Sequence, residues 1–169
     1  MWLMGASAAA PEFVSTLTRL LQFDDVPVQE SALWAVWGLG RSAATPEILS
    51  SLARLLGHER APVRRSVTSV MKHLAVPATQ EIVSVLARML DRDDTSSLES
   101  AVDGVSAVGP SVATPEVIFS LARLLAHNDA AVRQLATDTV GHLGAAATMP
   151  AILPALTRAK KLSQNPKTC

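Results

Sequence analysis

The chain has no tyrosine, a single cysteine and no surplus of charge of either sign, and each shortage removes a class of protein. With Cys169 alone, neither an intrachain disulfide nor a thiolate metal cage can form, and a reducing, cytoplasmic setting is expected. Fifteen Lys and Arg balance fifteen Asp and Glu, so no long-range field draws the chain to nucleic acid or to an anionic membrane. Aromatic residues make up only 4% of the chain, too few to suit the pleated faces of a β-sandwich. Arg, Glu, Asp or His interrupts every apolar stretch before it reaches the ~18 residues of a membrane-spanning helix. The opening MWLMGASAAAP is apolar but lacks the basic segment of a secretory signal, and it is read as part of the fold.

What the chain does have is repetition. TPEILSSLARLLGH from Thr45, TQEIVSVLARMLDR from Thr79 and TPEVIFSLARLLAH from Thr114 nearly superimpose. APEFVSTLTRLLQF from Ala10 is the same element, and TMPAILPALTRAKK from Thr148 is a looser copy. Glu12, Glu47, Glu81 and Glu116 step by 35, 34 and 35 residues, and Arg19, Arg54, Arg88, Arg123 and Arg158 keep that step. A fixed period of this size is the signature of stacked supersecondary units.

Each unit opens with a helix, A, whose apolar positions fall on one wide stripe: Ile48, Leu49, Leu52, Leu55 and Leu56, matched by Ile82, Val83, Leu86, Met89 and Leu90. Thr45 and Thr114 stand where a side chain caps the first amides, followed by Pro46 and Pro115 and then by Glu47 and Glu116. A short polar connection carries Asp24 and Asp25, Glu59 and Arg60, Asp93 and Asp94, or Asn128 and Asp129. Helix B follows, with apolar registers such as Val63, Val67, Met71 and Leu74. It closes on Gly40, Ala75, Gly109 or Gly144, small residues suited to ending a helix.

On these residues the chain resembles the HEAT repeat family over almost its whole length. The resemblance rests on an acidic turn followed by Val63-Arg64 and Val132-Arg133, with Leu39-Gly40 and Leu143-Gly144 later in helix B. Val28-Gln29 departs mildly, and the third unit departs more, with Ser97-Leu98 and Val108-Gly109. The resemblance implies an all-α fold, an α-α superhelix or solenoid of antiparallel helix pairs with a period of 34–35 residues. The expected domain spans 1–162, with partial repeats at 1–10 and 148–162, full repeats at 11–44, 45–78, 79–113 and 114–147, and a polar tail at 163–169. Trp2 and Met4-Gly5 align with Trp37 and Leu39-Gly40, so the chain is expected to open on the last turn of a B helix. Lys160 and Lys161 are expected to make the C-terminal end polar, whereas Trp2, Met4, Phe13 and Leu17 leave the N-terminal end apolar and available for self-association.

The resemblance also implies an inner surface built from B helices. Three columns run outward there: Glu30, Arg65, Glu99, Gln134; Trp34, Ser69, Asp103, Asp138; and Trp37, Lys72, Ser106, Gly141. Their chemistry changes from repeat to repeat, as a surface released from packing can. Trp34 and Trp37, three residues apart, can share one side of a helix and anchor a protein or peptide. Arg41, Arg65 and Lys72 are the adjacent cations, and Glu99, Asp103 and Asp138 extend the groove. The expected function is a protein-binding scaffold or adaptor. The alternatives are an enzyme or enzyme-associated module, glycosylase-like or lyase-like, using the groove carboxylates Asp103 and Asp138, and a self-assembling structural module.

The repeated arginines of helix A are read as structural, with long stems over apolar surface and guanidinium groups reaching solvent or a neighbouring turn. Arg64 and Arg133 are expected to pair with acidic loop residues. His58-Glu59 is the single His-Glu dyad, short of the several that di-iron helical-repeat hydroxylases use, and His73 and His142 stand two repeats apart. No metal, cofactor or catalytic residue is therefore assigned. The chain also lacks a Walker loop, a dinucleotide fingerprint, a serine elbow and a helical zinc motif.

Overall fold

The computed structural model describes residues 11–92, 94–147 and 157. Eight α-helices occur among them: α1 (Pro11–Gln22), α2 (Val26–Leu39), α3 (Pro46–Leu56), α4 (Ala61–Leu74), α5 (Gln80–Leu90), α6 (Thr95–Val108), α7 (Pro115–Leu125) and α8 (Ala130–Leu143). Odd-numbered helices are the A elements and even-numbered helices the B elements. Each A helix packs on the B helix that follows it, α1 on α3 on α5 on α7 makes one row, and α2 on α4 on α6 on α8 makes the other. The protein is all-α, and this pairing is consistent with a helical solenoid.

The apolar stripes explain the rows. Ile48, Leu49, Leu52, Leu55 and Leu56 are buried, as are Ile82, Val83, Leu86, Met89 and Leu90. Leu21, Leu56, Leu90 and Leu125, equivalent in the four A helices, are all 0% exposed, so one leucine per repeat forms the seam. In α4 the register Val63, Val67, Met71 and Leu74 is buried throughout, whereas Val28 and Leu39 of α2 and Val140 of α8 are half-buried. Leu17 belongs to the buried core, while Phe13 remains exposed. The expectations for Trp2, Met4, Asp93, Arg158, Lys160 and Lys161 lie outside the described residues.

Gly104 lets the third pair close. A Cβ there would meet Leu86 Cδ2 at 2.5 Å, so a side chain at this position would force the buried Leu86 to shift or α6 to move off α5.

The capping at the connections is partly as expected. Thr45 Oγ1 accepts from the Ile48 N–H and Thr79 Oγ1 from the Ile82 N–H. Thr114 does not cap with its side chain, contrary to expectation, and its buried hydroxyl oxygen has no hydrogen-bond partner. Before the B helices, Asp25, Asp94 and Asp129 accept from the N–H groups of Val28, Ser97 and Ala131. In the second unit neither Glu59 nor Arg60 caps α4; instead His58 Nδ1 accepts from the Arg60 N–H at 3.1 Å. His127 Nδ1 accepts in the same way from Asp129. Both histidines are thereby tied to turn geometry.

Arg64 and Arg133 also correct an expectation, because neither pairs with an acidic side chain among the described residues. Arg64 is 2% exposed, and its Nη1 donates to the carbonyls of His58 and Glu59 at 2.8 and 2.7 Å. Its Nε and Nη2 cross to the next B helix and donate to Ser100 Oγ and Ser96 Oγ at 2.9 and 2.6 Å. Arg133 Nη1 bonds the equivalent carbonyls of His127 and Asn128. A guanidinium presents five donors in a fixed fork, so backbone oxygens converging at a turn satisfy it without a counter-ion. Gln29 occupies the same place in α2 and donates from Nε2 to the Phe23 carbonyl.

In the A row, Arg54 Nη2 donates to the Leu21 carbonyl and Arg123 Nη2 to the Leu90 carbonyl, each spanning 33 residues to the preceding A helix. Arg123 also pairs with Asp91 at 2.7 Å. These side chains bind exposed helix C-termini, whose last carbonyls have no partner within the helix.

Candidate functional site

The three variable columns lie on the accessible side of the B row. Arg65, Glu99, Gln134, Trp34, Ser69, Asp103, Asp138, Trp37, Lys72 and Gly141 are exposed, and Glu30 and Ser106 are half-buried. This follows from helix periodicity: each column is offset from the buried register Val63, Val67, Met71, Leu74 and its equivalents. Arg41 is exposed in the 3-10 turn Gly40–Ala43 that follows α2.

A cleft of about 230 Å³ opens between α2 and α4. Leu33 and Val70, 1% and 3% exposed, form its apolar floor. Trp34 and Trp37 form a wall, Ser66 and Ser69 supply hydroxyl groups, and Glu30 adds a carboxylate. The two indoles stand 6.3 Å apart between ring centroids, tilted by 55°. Trp37 is stacked on His73 of the next B helix at 4.0 Å and 11°. Trp34 has no such cover and is 72% exposed, against 36% for Trp37.

Sequence reasoning singled out both tryptophans but not this use of His73, which it weighed only as a metal ligand or a helix-end group. The period offered only a partial signal: Trp37 and Lys72 are equivalent positions, and His73 directly follows the latter. It also set Arg41, Arg65 and Lys72 beside the tryptophans, whereas the residues lining the cleft include Glu30 and none of those three.

Farther along the row, Asp138 accepts from Gln134 Nε2 at 2.9 Å within its own helix. Asp103, one repeat earlier, makes no hydrogen bond or ion pair with Asp138. Among the described residues no three His, Cys, Asp or Glu side chains gather in a way that could hold a metal ion, and no helix is long and apolar enough to cross a membrane. Shifted acidities belong to helix starts. The Ser97 hydroxyl, outweighing desolvation, lowers the Asp94 pKa, helped by the Ser97 N–H and by Arg92 and Arg64. Glu47 is lowered by its own backbone N–H and by the Thr45 hydroxyl.

The class defined by these features is an all-α, multi-helix protein with repeat-like packing. Its fold is similar to that of an engineered protein whose crystal structure comes from the Northeast Structural Genomics Consortium. That match has a TM-score of 0.57 and 19% sequence identity, and covers 89% of this chain and 71% of the other. At this identity the likeness concerns the fold alone. No family model matches the chain, and comparison with curated proteins finds no match.

Proposed function

We propose that the chain is a HEAT-like scaffold or adaptor that captures a protein or peptide on the accessible face of its B helices, with Trp34 and Trp37 as the anchor. The observation that carries this reading is an indole left 72% exposed at the rim of an apolar-floored cleft, beside a second indole fixed by His73. Burying a large, stiff aromatic surface is favourable and sacrifices few rotamers, which is why such side chains dominate binding energetics. Glu99, Asp103 and Asp138 continue the same face and would select the partner's sequence and direction. On this reading the scaffold works in a reducing cytoplasm, which a single cysteine with no intrachain disulfide partner supports.

Affinity capture from native lysate with the intact chain and with a Trp34→Ala/Trp37→Ala variant tests the proposal, followed by calorimetric titration of any partner found. A partner that binds the intact chain should lose at least about tenfold in affinity for the variant, while the variant keeps its helical circular dichroism. Equal affinity for both chains would overturn the site assignment.

A further inference from the structure

We infer that the cleft between α2 and α4 is a receptor for a cationic side chain, lysine or arginine, of the partner protein. The inference rests on the reading of this cleft as a binding site and adds the chemistry of what enters it. Three features converge. Glu30 is the one ionisable residue lining the cleft; it is half-buried and makes no hydrogen bond or ion pair with the described residues. Trp34 and Trp37 meet at 55°, forming an angled wall rather than a flat stack. Indole faces carry negative quadrupole potential, and a cation within about 6 Å of a ring centroid is attracted to it. The volume, about 230 Å³, falls below the roughly 300 Å³ at which small-molecule sites begin and suits a side chain better than a cofactor.

Other occupants fit worse. An anion would meet like charge at Glu30 and the uncovered indole of Trp34. A purely apolar group would match Leu33 and Val70 but would desolvate Glu30 with nothing to pair it. A lysine or arginine satisfies all three, because its methylene stem covers the apolar floor while its head reaches the carboxylate and the rings. Arg65, which stands one repeat along the same column as Glu30, is exposed and makes no ion pair with it.

Choline and its neutral isostere 3,3-dimethyl-1-butanol separate charge from shape. Each is titrated into nitrogen-15-labelled protein at constant ionic strength, and the indole N–H signals of Trp34 and Trp37 are followed, assigned through Trp34→Phe and Trp37→Phe. Choline should shift both signals with an apparent affinity at least about fivefold above that of the alcohol, and Glu30→Gln should remove that advantage while leaving the alcohol response unchanged. Equal responses to both probes, or a choline response untouched in Glu30→Gln, would overturn the cationic assignment and leave the binding face standing. Silence of both indoles toward both probes also overturns it. The binding face itself is judged separately, by loss of the captured partner in the double tryptophan variant.

Discussion

The two rows of helices use repetition in opposite ways. In the A row the same arginine recurs at a fixed step, and Arg54 and Arg123 each hold a carbonyl 33 residues behind. In the B row the position that reads Trp34, Ser69, Asp103 and Asp138 is exposed in every repeat and changes chemistry along the row. Nearer the core the B row partly repeats: Gln29, Arg64 and Arg133 all donate to a carbonyl six residues earlier, while Leu98 takes that place in the third unit. Periodicity in this chain therefore tracks a structural duty, and its loss tracks release from that duty. Burial alone does not set the boundary between them, since Arg54 and Arg123 recur although exposed; the bond each makes to the preceding helix does.

The sharpest way to break the comparison is to remove a repeating side chain from the buried side. Arg64→Ala removes the donor to the His58 and Glu59 carbonyls and to the Ser96 and Ser100 hydroxyls, of which Ser100 keeps its bond to the Ser96 carbonyl, and it opens a void between α4 and α6. Such a loss of a buried network should cost about 3 kcal/mol, read as a lower midpoint in urea unfolding. Arg133 is half-buried and bonds only the two carbonyls of its own turn, so Arg133→Ala should cost about 1 kcal/mol in the same measurement. Equal costs would mean that the hydroxyls of the next repeat contribute nothing.

A smaller effect sits at the start of α6. The Asp94 carboxyl caps the Ser97 N–H at 2.7 Å, and its folded-state pKa lies below the ordinary 3.8. A depressed carboxylate pKa gives stability that is complete above the unfolded value and is lost as pH falls through the folded one. Asp94→Ala should cost about 1 kcal/mol at neutral pH. Asp94→Asn, which keeps an acceptor, should cost little there and should flatten the decline in melting temperature below about pH 4. An unchanged acid limb in the Asn variant would show that other carboxylates govern it.

The fold was legible because its causes are local and periodic. The leucine seam and the arginine step are visible in one dimension, and helical spacing converts them into faces. The accessible columns of the B row followed from the same register. The stack of Trp37 on His73 did not, since it depends on how far α4 is rotated against α2. Nor did the partners of Arg64: an arginine beside acidic residues suggests an ion pair, whereas the turn offers carbonyl oxygens at shorter reach. Thr114 shows the converse. It has the identity and position of a cap, yet its hydroxyl makes no bond to the helix it precedes.

The period itself slips at one place, from 35 to 34 residues between Glu47 and Glu81. Gly40, Gly109 and Gly144 close their helices at φ of 58°, 79° and 54° with ψ near the extended range, a region essentially reserved for glycine. Each leads into a short 3-10 turn. Ala75 sits instead at φ 52° and ψ 54°, the left-handed helical region, and the Val76 N–H bonds the Met71 carbonyl. This tighter closure has no 3-10 turn after it, and the missing residue is the difference between the two routes. A left-handed alanine is strained by roughly 1 kcal/mol, partly offset because glycine frees the unfolded chain. Ala75→Gly should therefore stabilise the protein by about 0.5 kcal/mol, measured by urea unfolding. A loss of stability would show that the Ala75 methyl group packs usefully, and that the shorter turn is held by side-chain contact rather than by backbone geometry.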